Sequence, residues 1–144
     1  MPPVYHHVCR VATICTLLAI KRGENVEIAT MAGLLHDIAS LRNHDVEPYK
    51  VHGLTGENHA GIGAEIAMEI LIELNLTSPQ ENEIICTAVD RHNDKDRADD
   101  PIDELLKDAD VFEHGLVSVS NQKNNFRGER WDKVCQELGI SNCR

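Results

Sequence analysis

Apolar positions recur at helical spacing along almost the whole chain, and no alternating run long enough for a useful strand competes with them. His7, Val11, Ile14 and Leu18 stand at i, i+4, i+7 and i+11, which predicts a first helix over about Tyr5 to Arg22 with Gly23 as its stop. Asn25 is placed to cap a second helix with Ile28, Met31, Ala32, Leu35 and His36 on one face. The polar stretch from about Ser40 to Glu57, holding Pro48, Gly53 and Gly56, reads as a long loop. A third helix starts near Asn58 and carries Ile62, Ile66, Ile70 and Leu74 at strict i+4 spacing. Ser78-Pro79-Gln80-Glu81 supplies an N-cap, a proline at N1 and a glutamate at N3, the capping box of a fourth helix bearing Ile84, Ile85, Ala88, Val89 and His92. Asp100-Pro101 opens a fifth, with Leu105, Asp108, Ala109 and Phe112 facing inward, and a short last helix spans Glu129 to Leu138. The expectation is an all-α fold, a compact multi-helix bundle of five main helices plus a short C-terminal one, forming a single domain over 1–144.

Charge narrows the choice of partners. With 14 Lys+Arg against 24 Asp+Glu the 144-residue chain has a formal net charge of −10, and no basic run tracks a phosphate backbone, so long nucleic acid is not an expected partner. Aromatic residues are too few for a base-stacking platform. No apolar run is long enough to span a membrane, and the start of the chain lacks the basic and apolar regions of a secretion signal, which predicts a cytoplasmic protein without membrane contact. The five cysteines (Cys9, Cys15, Cys86, Cys135, Cys143) are odd in number and contain no CxxC. They predict no disulfide framework and a reduced compartment.

Candidate chemistry begins at His36-Asp37, which follows the apolar run Met31-Ala32-Gly33-Leu34-Leu35 and so emerges from a core where an uncompensated charge is costly. His44-Asp45 repeats the dipeptide inside the polar loop, where solvation suffices, and reads as surface. His7, His59, His92 and Asp108 share the property of lying on apolar helical stripes. Each alone is the sort of polar residue a core can satisfy; together they bring His or Asp from five helices toward one interior, as bundles do when they build metal sites. Four imidazoles and two carboxylates without a thiolate suit Mn, Fe, Co or Ni, and they exceed what one ion with open positions needs, so two divalent ions bridged by Asp37 are expected. Arg10, one turn after His7, is the candidate phosphate anchor. His6, His52 and His114 read as surface, with His52 as the fallback ligand for His59. Lys107 and Asp110 flank Asp108 but point off its face. Arg42, Lys50, Arg91, Lys95, Arg97 and Lys123 read as surface charges.

His7-Val8-Cys9-Arg10-Val11, Ala32-Gly33-Leu34-Leu35-His36-Asp37-Ile38 and Asp108-Ala109-Asp110 together resemble the H…HD…D signature of the HD superfamily of metal-dependent phosphohydrolases, over about Tyr5 to Glu113. His59-Ala60-Gly61-Ile62 and Arg91-His92 resemble the two further histidines of its binuclear members, among them bacterial diadenosine tetraphosphate hydrolases and HD-GYP cyclic-dinucleotide phosphodiesterases. The HD-GYP group differs: this chain has Ile38-Ala39-Ser40 in place of Ile-Gly-Lys, Arg91-His92 in place of paired histidines, and no Gly-Tyr-Pro. The helix that usually precedes the first motif is nearly absent, which implies a clipped start or an exposed site.

The resemblance implies hydrolysis of a nucleotide or other small phosphate ester by metal-activated hydroxide, with His36, Asp37 and Arg10 as the catalytic candidates and His7, His36, Asp37, His59, His92 and Asp108 as metal ligands. The same six-residue set resembles HD-fold diiron oxygenases, which makes an O₂-dependent enzyme the alternative. A metal- or nucleotide-binding sensor with decayed catalysis is the non-enzymatic one.

Overall fold

The computed structural model describes residues 3–44, 59–117 and 127–141, with backbone only at 3 and 42–44. Among these residues there are seven helices and no strand: α1 (Pro3–Arg22), α2 (Val26–Leu35), α3 (Ile38–His44), α4 (His59–Leu74), α5 (Pro79–Arg91), α6 (Pro101–Val117) and α7 (Glu129–Glu137). None of them is long and apolar enough to cross a membrane.

Local signals set most of the boundaries. Gly23 takes φ +71°, a left-handed conformation that ends α1 where a side chain would be strained. The Asn25 side chain accepts from the Ile28 amide at the start of α2. Ser78 and Glu81 form the reciprocal capping box of α5, each binding the other's backbone N–H.

Two expectations about the helices change. The stretch predicted to become loop at Ser40 instead begins with a short helix, α3, so the His36-Asp37 pair occupies the turn between two helices. The rest of that predicted loop, including Asp45 and His52, lies outside the described residues, as does Lys123. On α4 the buried face is Ala60, Gly63, Ala67 and Leu71 rather than the isoleucine stripe, which is left half-buried or exposed. Small residues win that face because they let the backbone come close to its neighbours: a Cβ on Gly63 would stand 3.5 Å from Val89.

The first two helices form a hairpin through the short link after Arg22, and α1 also packs on α6; α4 packs on α3 and α5, α5 on α2 and α6, and α7 on α6. The hairpin contact is close, since a Cβ on Gly33 would meet the Ala12 backbone at 2.7 Å. Val11, Leu18, Ala29, Ile85, Leu105, Leu106 and Trp131 belong to the common core. Helix α6 runs through its middle, with twelve of its 17 residues buried. Cys9, Cys15 and Cys86 are free thiols, whereas Cys135 is disulfide-bonded, a bond not foreseen in the expectation of no disulfide framework and a reduced compartment. Pairing depends on neighbours in space, which an odd count and the lack of a CxxC do not reveal.

Helix α7 docks through Trp131, whose ring stacks on Phe112 and covers Gly115. A Cβ at Gly115 would fall 2.3 Å from two ring carbons. Gly115→Ala is therefore expected to lower the unfolding free energy by about 1–3 kcal/mol. Gly128→Ala, where a Cβ meets nothing within 4 Å but the change falls at the N-cap of α7, should lower it by less, about 0.5–1 kcal/mol. Denaturant titration of the two variants checks the pair.

Candidate metal centre

Five elements deliver donors to one place. His7 comes from α1, His36 and Asp37 from the α2–α3 turn, His59 from the first turn of α4, His92 from the C-cap of α5 and Asp110 from α6. His7 Nε2 lies 3.1 Å from His36 Nε2, 3.3 Å from Asp110 Oδ1 and 3.7 Å from Asp37 Oδ2. His36 Nε2 is 3.8 Å from both of those oxygens. The other oxygen of Asp37, Oδ1, is 3.6 Å from His92 Nε2 and 3.7 Å from His59 Nε2. Two ligand groups thus share Asp37, one on each carboxylate oxygen. Donors bound about 2.1 Å from a common ion stand roughly 3.0–3.4 Å apart, so the spacing is slightly wide of a closed coordination shell.

The imidazoles are held so that Nε2 faces this centre. His36 Nδ1–H donates to the Gly33 carbonyl at 2.8 Å and His92 Nδ1–H to that of Val89 at 2.6 Å. His7 Nδ1 meets Glu113 Oε2 at 2.6 Å, the carboxylate–histidine arrangement that orients metal-binding imidazoles. His59 Nε2 is 3.1 Å from the Asn93 side-chain amide.

Electrostatics agree with a site built for cations. Burial disfavours a charged His7, but the Asp110 and Glu113 carboxylates outweigh it and push the pKa up to about 9. Burial dominates at His36 and lowers it to about 4. A protonated His7 then donates Nε2–H to the neutral His36 Nε2. Asp37 is held at about 2: burial opposes its charge, and His92 and His36 more than compensate. Asp110 is held well below the carboxylate range against its burial, by His114, His7 and Lys95. Its Oδ1 is nevertheless a buried oxygen with no hydrogen bond, and it faces the imidazoles of His7 and His36. A cation bound among these atoms would satisfy it, so the residues present fit a divalent ion.

One expected ligand is misplaced. Asp108 is fully buried on another side of α6, where Arg22 and Lys133 reach Oδ2 at 2.8 Å and Arg130 reaches Oδ1 at 2.7 Å. Residues two apart on a helix point about 200° away from each other, so only one carboxylate of Asp108-Ala109-Asp110 can join the histidines, and it is Asp110. Sequence reasoning followed the apolar stripe of Leu105, Ala109 and Phe112, but a helix buried on every side has no polar face to mark the alternative.

Four other groups were not foreseen at the site. Glu113, one turn from Asp110, orients His7 and pairs with Arg10. Lys95 Nζ pairs with Asp110 Oδ2 and donates to the His92 carbonyl at 2.6 Å. Asn93 contacts His59, and His114 approaches Asp110. Only the spacing of Asp110, Glu113 and His114 at i, i+3 and i+4 offered a signal for any of these.

Arg10 keeps about half of its side chain exposed while Glu113 holds its Nε. His6 is exposed, as expected. Arg91 pairs with Asp103, and Arg97 with Asp99, away from the histidines. The side chains of Arg42 and His44, and the whole of Lys50, lie outside the described residues. A cavity of about 610 Å³ lined by Lys95, Asp108, Arg130 and Lys133 opens beside α6, and none of the described histidines lines it.

The HD domain family profile matches residues 4–115. Curated relatives include Ribonuclease Y of Enterococcus faecalis, 32% identical over 140 residues that cover 87% of this chain and 24% of the relative. Ribonuclease Y of Geotalea uraniireducens is 32% identical over 143 residues, 96% of this chain and 24% of the relative. That of Oceanobacillus iheyensis is 33% identical over 106 residues, 74% and 17%. The chain therefore spans about a quarter or less of the length of these relatives. No solved structure matches it significantly.

Proposed function

Because the chain belongs to the HD domain family of metal-dependent phosphohydrolases, we propose that it hydrolyses a phosphate ester at a two-metal centre. His7, His36, Asp37 and Asp110 would hold one ion, with Asp110 replacing the expected Asp108, and Asp37, His59 and His92 would hold the other. The observation that carries this reading is the division of Asp37, whose two oxygens face two separate imidazole groups. Divalent ions held there would supply Lewis acidity toward phosphoryl oxygens and would lower the pKa of a bound water.

The protein's own groups do the rest. Gly33 O, Val89 O and Glu113 fix the imidazoles, so that no reorganisation is needed as charge develops. Glu113 anchors Arg10 by its Nε, leaving the outer edge of a half-exposed guanidinium for a phosphate oxygen. A divalent ion held there would take the position of the proton on His7 Nε2, the nitrogen that faces Asp110 and His36.

The substrate class is a nucleotide or other small phosphate ester. RNA is a second reading, favoured by the relatives named Ribonuclease Y. Mn²⁺-supported turnover of nucleotides and dinucleotide polyphosphates, set against short 5′- and 3′-labelled RNA oligomers, separates the two. O₂ uptake by iron-loaded protein, without hydrolysis, would replace both with an oxygenase.

The double variant His59→Ala/His92→Ala should fall from two bound equivalents of metal to about one and lose most of its activity. Retention of two equivalents by elemental analysis would reduce the centre to the four residues around His7.

A further inference from the structure

We propose that His114 is an additional ligand of the ion held by His7, His36, Asp37 and Asp110, and that it closes that ion's outer side. The inference rests on the two-metal reading above. His114 lies one helical turn after Asp110 on α6, a spacing that places both side chains over the same patch. Its Nε2 is 3.4 Å from Asp110 Oδ1, and its ring centroid is 4.7 Å from that of His7. Donor atoms of His7, Asp110 and His114 all lie within 4.8 Å of one another.

A second observation points the same way. Asp110 Oδ1, the oxygen that His114 approaches, is buried and makes no hydrogen bond, while Asp110 Oδ2 is engaged by Lys95. The oxygen left for a cation therefore lies between the ring nitrogens of His7, His36 and His114. The inner histidines are buried or nearly so, whereas the His114 side chain is 41% exposed, so the fifth donor comes from the solvent side of the group. That ion would then draw on five side chains, and the other on three, Asp37, His59 and His92.

Cobalt(II) titration of the metal-free protein, followed by calorimetry and visible absorption, tests this without reference to turnover. His114→Ala should weaken one of the two equivalents by about 10-fold or more and alter its d–d absorption, leaving the other equivalent unchanged. His114→Gln, which keeps the bulk and removes the imidazole, should behave alike and guards against a packing effect of the alanine. His6→Ala, an exposed imidazole on α1, should match the parent protein. Wild-type affinities and an unaltered spectrum in both His114 variants would overturn the assignment. If His7→Ala and His36→Ala also leave both equivalents intact, the two-metal reading itself fails; if those two lose one equivalent while the His114 variants do not, only the role of His114 falls.

Discussion

Asp37→Asn is expected to strip the centre of most of its metal and to lower hydrolysis by about 10³-fold or more, the scale on which loss of a central catalytic group acts. The effect is large because this carboxylate, alone among the described ones, faces both imidazole groups, with Oδ2 toward His7 and His36 and Oδ1 toward His59 and His92. The amide keeps the shape but loses the charge and one of the two acceptors, so neither ion retains its shared ligand. The exchange should leave the helical circular dichroism intact, since the side chain lies in the α2–α3 turn and its partners are the site histidines. Metal content by elemental analysis, measured beside activity, checks it; two equivalents in the variant would refute the bridge.

Asp108→Asn is expected to do the reverse, destabilising the fold by about 3 kcal/mol while leaving the histidine cluster assembled. Asp108 collects Arg22 from α1 and Arg130 and Lys133 from α7, and its loss leaves three cations around a buried neutral group. Burial alone would raise its pKa, but hydrogen bonds from Lys133, Arg130 and Arg22 hold it below the usual carboxylate value. A carboxyl depressed in the folded state contributes stability above its unfolded pKa and loses it as the pH falls through the folded value. The gap between the parent protein and Asp108→Asn should therefore be full at neutral pH and close below about pH 4. Urea titrations across that range, with cobalt binding measured at neutral pH, distinguish this from a ligand's behaviour. Loss of metal without loss of stability would restore Asp108 to the centre.

The opposite fates of these neighbouring carboxylates show where the sequence was readable. Caps and stops depend on a few adjacent residues, so Gly23, Asn25 and the Ser78 box were legible and are found as expected. His7, His36, Asp37, His59 and His92 were legible as a group because polar residues on apolar stripes need a common explanation, and the fold brings them together. Asp110 was not, because α6 buries nearly its whole circumference and offers no amphipathic contrast. The α4 stripe misled for a related reason: isoleucine spacing marks a face that can be buried, whereas Ala60, Gly63 and Ala67 mark the one that packs closest. Lys95 and Asn93 come from a connection without periodicity, where only the folded chain shows which ligand they meet.

Helix α6 also bears on the cooperativity of folding. It buries Asp103, Lys107, Asp108, Asp110 and Glu113, and no single neighbour satisfies them: Arg91 belongs to α5, Asp99 and Lys95 to the connection after it, Arg22, His7 and Arg10 to α1, Arg130 and Lys133 to α7. A half-assembled bundle with any of these elements undocked leaves a charge in a dry environment without its counterpart. Partly folded forms are thereby penalised more heavily than a purely apolar axle would penalise them, and the chain is driven toward an all-or-none transition.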